Sequence, residues 1–228
     1  MRYIKKLPEP KELSAAKCGG LTLYDDMTKE VRDAVKIQLL KEQGYICAYC
    51  MRRIRHYPDF STQEMQIEHY IAQSSETGKK EPSLSVEYRN MLGVCPGGKY
   101  SGVHDIKNRT CDQHRGDRDL TVNPLDNRLI DQVQYKSDGT IYSENSNIDH
   151  DLNEILNLNC TAAKLPVNRK AALCQFQSAI AKDYQGKTLT KKDWASLLER
   201  VTAGNTDGEL MPFAGIVVNY IEKRLRRG

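Results

Sequence analysis

Cys47-Ala48-Tyr49-Cys50 sets two thiols on one tight turn, and Ile67-Glu68-His69-Tyr70-Ile71-Ala72-Gln73-Ser74 follows it with an acid directly before a histidine. Further along come Asn90-Met91-Leu92-Gly93-Val94-Cys95 and Cys111-Asp112-Gln113-His114-Arg115-Gly116. Four thiols therefore bracket one acid-histidine pair, and their use decides what core the chain can build. A Cys-x-x-Cys turn lets both thiolates reach one tetrahedral ion at about 2.3 Å. Cys95 and Cys111 are not a close pair. Pro96, Gly97, Gly98 and Gly102 are nevertheless the residues of a loop that can leave a metal and return to it, and loop closure grows costly only slowly with length. The pattern predicts a structural zinc site on Cys47, Cys50, Cys95 and Cys111, with His56 and His104 as spare ligands.

The seven cysteines are an odd number. A disulfide framework explains them less well than reduced thiols, and no βαβ pattern surrounds Cys47 and Cys50 as a thioredoxin-like dithiol would require. Cys18, Cys160 and Cys174 stand apart. Cys174, beside Leu173 and Phe176, is expected as a small buried hydrophobe.

The 228 residues suffice for one substantial core or two small ones, and 39% hydrophobic with 28% charged residues is ordinary for a soluble globular chain. No run approaches the roughly 18 apolar residues of a membrane span, and MRYIKKLPEP lacks a signal-peptide block, so a cytoplasmic protein is expected. A formal net charge of +4 permits a polyanionic partner without demanding one.

Working outward, residues 1–44 divide into an extended arm with a loop over the first 27, marked by Pro8, Pro10 and Gly19-Gly20, and a helix. That helix starts at Thr28 as N-cap, carries Val31, Val35 and Leu39 on one face, and ends at Gly44. Residues 45–127 hold short apolar pieces, including a strand over Glu64 to Tyr70 and a second over Met91 to Cys95. Such a segment buries too little to stand without a staple. Residues 128–148 form a connector, with a β-hairpin turning at Ser137-Asp138-Gly139. Residues 149–228 read as a helical module through Leu152 to Leu156, Ala171 to Ala181, Lys191 to Val201 and Phe213 to Leu225. Trp194, Leu197, Leu198 and Val201 read as core. The basic end Lys223-Arg224-Leu225-Arg226-Arg227 could neutralise phosphates, but complementing a helix dipole explains it better. The fold class is α+β.

On a strand, neighbouring side chains point to opposite faces, so Glu68 and His69 need not pair with each other. One can hold a hard divalent ion while the other takes a proton from water, a task suited to a histidine near its unperturbed pKa of about 6.5. Mg²⁺ or Mn²⁺ would accept oxygen ligands from the protein together with phosphate oxygen and water.

The order Cys-x-x-Cys, acid-His, Asn before an apolar strand and Cys, then Cys-Asp-x-x-Arg-Gly resembles the HNH nucleases of the ββα-metal class. The resemblance implies a zinc-stapled ββα-metal core with His69 as general base, Asn90 orienting it or its loop, and Glu68 as a metal ligand. Asp112 falls in the third ligand slot and Arg115 in the phosphate-binding slot. His114, an attractive ligand by type, falls two positions late and stands second to Asp112. Together with Asn123-Pro124, the opening MRYIKKLPEPKEL and the C-terminal PFAGIVVNYIEKRL, these motifs look like the HNH subunit (PtuB) of Septu-type and retron-associated anti-phage systems. That likeness implies a toxic nuclease cutting DNA or RNA, tRNA included, held by an ATPase subunit of PtuA type and in some systems by a retron reverse transcriptase with its msDNA. Two other readings stay open. One is a zinc-stapled binding module in which His69 and His114 are merely buried or solvated; the other is an adaptor with a degenerate nuclease centre that docks an ATPase through its helical module.

Overall fold

A computed structural model describes residues 1–57, 64–98 and 105–227. The expected spare ligand His104 and the turning residue Gly102 lie outside them. The described residues form an α+β protein with two small antiparallel sheets.

Helix α1 spans Lys11–Cys18, where an extended arm was expected. Its sequence is weakly amphipathic, and what holds it is tertiary. Leu13 is fully buried, while the Glu9 carboxylate accepts from Ser14 Oγ and Lys17 Nζ, both at 2.7 Å. Helix α2, Lys29–Gln43, starts and stops where the sequence says. The Thr28 hydroxyl caps the Val31 N–H, and Gly44 adopts the left-handed conformation that ends the helix. Gly44 has a second reason to lack a side chain: a Cβ there would sit 2.4 Å from Leu210 Cγ.

Strand β1, Gln66–His69, pairs antiparallel with β2, Met91–Val94, in the register Glu68 opposite Leu92 and His69 opposite Met91. Between them lies the short helix α3, Glu76–Lys80. After β2 come the single-turn helices α4, Asp112–Arg115, and α5, Asn127–Ile130, then the two-residue strands β3, Gln134–Tyr135, and β4, Ile141–Tyr142. This is the hairpin expected around Ser137-Asp138-Gly139, with Lys136 N–H donating to Thr140 O across the turn.

Helix α6, Ser146–His150, runs on into a π-helical turn over Asp151–Ile155. Three longer helices follow: α7, Leu165–Tyr184, α8, Lys191–Ala203, and α9, Ala214–Arg227. None of these helices is long and apolar enough to cross a membrane among the described residues. The buried side of α7 carries Leu165, Arg169, Ala172 and Leu173, which leaves the adjacent Cys174 exposed. The expectation of a buried Cys174 is thus corrected: one residue rotates about 100° around a helix, and Leu173 takes the inward place.

The C-terminal helices do not sit apart from the cysteine-bearing segment. Phe213 N–H donates to Met51 O at 2.9 Å, Leu210 N–H to Gly44 O at 3.0 Å, and the Arg53 guanidinium to Leu210 O at 2.5 Å. Ile46, Met51, Leu210 and Ala214 form an apolar cluster at this seam. Packing therefore crosses the boundary expected at residue 148. Two of the basic residues of α9 are engaged in structure: Lys223 Nζ donates to Tyr135 O, and Arg224 lies over the rings of Tyr220 and Trp194.

Candidate metal centre and acid-histidine site

The four cysteines expected to act together do meet. Cys47, Cys50, Cys95 and Cys111 are all buried, with their sulfurs within 4.8 Å of one another. The separations Cys47–Cys111, Cys50–Cys95 and Cys95–Cys111 are 3.9, 3.7 and 3.7 Å. A tetrahedron with Zn–S bonds of about 2.3 Å has edges of about 3.75 Å, whereas a disulfide needs about 2.05 Å. Sulfur type, number and spacing all fit one tetrahedral ion, so this cluster could hold a metal such as zinc.

Backbone geometry makes the site. Cys47 N–H donates to Arg52 O and Met51 N–H to Cys47 O, so the first pair rides on a small knuckle whose Tyr45 and Met51 both have positive φ. The second pair is closed by Thr110 N–H donating to Gly97 O. The chains approach so closely there that a Cβ on Gly97 would meet Thr110 O at 2.2 Å. Cys111 itself has φ 56°, an unfavourable value for a side-chain-bearing residue, anchored by its N–H donating to Leu156 O at 2.9 Å. The four sulfurs titrate as one set: hydrogen bonds from the neighbouring thiols hold Cys50 well below its usual pKa, while the same crowding and burial push Cys95 and Cys111 well above theirs, so without a cation the cluster favours a single thiolate.

Beside this cluster, β1 brings Glu68 and His69 to the end of the ribbon, both nearly inaccessible. Glu68 Oε1 accepts from Arg115 Nη1 at 2.5 Å and from Tyr49 Oη at 3.3 Å. Asp112, at the start of α4, lies near enough to act electrostatically on Glu68. Burial first, and the Asp112 charge second, push the Glu68 carboxyl well above the usual carboxylate range. Burial and the Glu68 charge likewise keep the Tyr49 phenol protonated, so it stays a donor.

His69 is tied at both ring nitrogens. Nε2 lies 2.9 Å from Ser85 O, and Nδ1 lies 3.2 Å from the Gln73 amide nitrogen. A carbonyl can only accept, so Nε2 carries the proton and Nδ1 the lone pair. Burial lowers the imidazole pKa despite the Ser85 carbonyl, which keeps the ring neutral. Tyr24 packs edge-on against the ring at 4.9 Å.

Asn90 touches neither His69 nor Glu68. Its Oδ1 accepts from Ile71 N–H at 2.7 Å, and its Nδ2 donates to Ile71 O at 3.1 Å and Leu84 O at 3.0 Å. It thereby clamps the two ends of the loop between β1 and β2 and places Ser85 O under His69.

Arg115 departs most from expectation. Its side chain is 1% exposed and bonds Glu68, Tyr49 Oη, His69 O, Tyr70 O and Arg118 O. A guanidinium so buried and so committed faces protein and not solvent, and its position in α4 is that of a buried tie between helix and ribbon. His114 turns away from Glu68, its Nδ1 2.9 Å from Ile155 O. Of the two candidates for the third ligand, Asp112 is the one beside Glu68. His56, named as a spare zinc ligand, instead pairs with Asp33 at 2.8 Å. Among the described residues the cysteines are the only group whose ligand atoms already converge on one point; Glu68, His69 and Asp112 do not form a second.

Sequence reasoning missed Tyr49, Gln73, Ser85 and Tyr24. Gln73, four residues after His69, was within reach of a positional argument. Ser85 and Tyr24 carried no signal, because one acts through its backbone and the other arrives from a distant turn.

A scan of known protein-family models finds no match to this chain, and a search of curated proteins finds none either.

Proposed function

We propose that the chain is a zinc-stapled, metal-dependent HNH endonuclease that hydrolyses phosphodiester bonds of DNA or RNA. The observation that carries this is a buried acid-histidine pair at the end of β1, with Asp112 of α4 near enough to act electrostatically on both Glu68 and His69, beside a four-sulfur cluster that fits a tetrahedral ion. The cysteines would hold zinc and act structurally, since four protein ligands leave no open position for substrate. Glu68 through its second oxygen, and Asp112, would hold Mg²⁺ or Mn²⁺, which when bound supplies positive charge to the phosphate and the leaving oxygen. His69 Nδ1 is the basic atom. It takes a proton as the water oxygen bonds to phosphorus and the bond from phosphorus to the leaving sugar oxygen breaks. Ser85 O stabilises the imidazolium so formed. The Gln73 amide must leave Nδ1 before water can reach it. Asn90 is a positioning residue that holds the loop bearing Ser85. The resemblance to anti-phage nuclease subunits supports a toxic role under the control of an ATPase partner.

The test is incubation of purified protein with plasmid, single-stranded DNA and tRNA, with Mg²⁺ or Mn²⁺ and alongside the His69→Ala variant, with and without the ATPase. Cleavage is expected to fall about 10²–10⁴-fold in the variant, the usual worth of a general base. Equal cleavage by both proteins would remove His69 from the chemistry.

A second reading is favoured by the Arg115–Glu68 bridge and by the two ties on His69: an adaptor with a silent centre that docks an ATPase. Absence of cleavage under every condition, with co-purification of the ATPase retained, would select it.

A further inference from the structure

The slot expected to contact phosphate is filled by a buried arginine, yet basic groups do reach the site from another element. On α2, Lys29, Arg32 and Lys36 recur at i, i+3 and i+7, and so share a face flanking the buried Val31, Val35 and Leu39 stripe. Arg32 and Lys36 line an open cleft of about 290 Å³ with Gln66 of β1 and Asp112 and Gln113 of α4. Asp112 is therefore shared between this cleft and the Glu68 carboxyl.

The electrostatics of the cleft suit an anion along its α2 wall. Asp33, the nearest acid on α2, is already engaged by Lys29 Nζ and His56 Nε2, both at 2.8 Å. Lys36 forms no ion pair with a carboxylate among the described residues. Arg32 donates through Nη2 to Asp25 O at 2.9 Å and lies over the Tyr24 ring, while its Nε has no partner among the described residues. Gln66 and Gln113 add amide groups joined at 3.3 Å.

From this arrangement we infer that the α2 cleft is the phosphate-binding track of the protein: Arg32 and Lys36 grip the sugar-phosphate backbone of a nucleic-acid strand, and Asp112 marks where that strand meets the metal-binding carboxylates. The inference rests on the nuclease reading for the identity of the strand. It moves the phosphate contact from Arg115 on α4 to the N-terminal helix. Arg32 also holds the turn bearing Tyr24, which packs on His69, so the cleft adjoins the acid-histidine site on this side as well.

The test measures binding of a fluorescent single-stranded oligonucleotide across a salt series, in a His69→Ala background where cleavage does not interfere. Lys36→Gln is expected to weaken binding about three- to tenfold at low salt and to reduce the slope of log affinity against log salt by about 0.7, one single-strand phosphate contact. Lys36→Arg restores both, and Arg32→Gln repeats the loss. Lys182→Gln, the same charge change on the exposed face of α7, leaves both unchanged. Slopes and affinities that are equal for Lys36→Gln, Arg32→Gln and the parent overturn the cleft assignment, whatever the cleavage assay shows. Losses as large for Lys182→Gln also overturn it, since net charge alone then explains them, and so does a parent that binds no oligonucleotide. A slope change confined to the α2 variants, in a protein whose unmutated form cleaves nothing, upholds the track and rejects the nuclease reading.

Discussion

The cysteine cluster and the acid-histidine site lie side by side, and they are finished to different degrees. At the first, four donors of one kind converge within 4.8 Å and point at a common centre. At the second, every group is held by protein: Glu68 by Arg115 and Tyr49, His69 by Ser85 and Gln73, Asn90 by the loop it clamps. A closed site resists substitution because each ligand is indispensable. A site tied by hydrogen bonds can be rearranged, at the cost of whichever tie is exchanged.

The largest effect should come from the closed site. Cys50→Ser or Cys111→Ser, or stripping the metal with a strong chelator, is expected to abolish the cooperative melt followed by circular dichroism. Structural zinc contributes on the order of 10 kcal/mol in small modules, comparable with the roughly 5–15 kcal/mol that holds a whole domain. An unchanged melt for protein shown by elemental analysis to contain no zinc would break the contrast at its root.

Arg115→Met comes next. It leaves Glu68 buried beside Asp112 without its cation and frees several carbonyls. Denaturant titration should register a loss of about 3–5 kcal/mol. Were Arg115 a phosphate contact instead, stability would hold and affinity for nucleic acid would drop.

Asn90→Ala removes both ends of the loop clamp and should cost about 1–3 kcal/mol, with faster amide exchange at Ile71 as the local signature. Protection of Ile71 equal to that of the unmutated protein would mean that the loop is held elsewhere.

The smallest change is expected for His114→Ala. Loss of its bond to Ile155 O should cost about 1 kcal/mol and leave cleavage intact, whereas Asp112→Ala should abolish cleavage at little cost to stability. The reverse pattern would hand the third ligand position to His114.

The same contrast separates what the sequence makes legible from what it hides. Identical donors on recognisable turns announce the cysteine cluster, and capping residues announce α2, since Thr28 and Gly44 each have a local geometric job. Helix α1 was hidden because its support, the burial of Leu13 and the Glu9 contacts, is tertiary. The burial of Arg115 was hidden for a related reason: spacing gives its place in α4 but not the direction of its side chain, which the ribbon carbonyls decide. The basic face of α2 was visible as a repeat, yet only folding reveals that it opens toward Asp112.

One contact between α2 and the ribbon reaches further than its size suggests. The Gln43 amide accepts from Gly93 N–H at 2.7 Å and donates to Gly93 O at 2.7 Å and Ile46 O at 3.0 Å, while Ala48 N–H also donates to Gly93 O. A single side chain thus satisfies the Gly93 backbone on the side of β2 facing away from β1, as an adjoining strand would. A two-stranded ribbon is normally an invitation to self-association, because its free backbone groups can template another chain. Here the middle of that margin is sealed from within, so a protein accumulating at high concentration keeps the larger of its two sheets from growing into an aggregate.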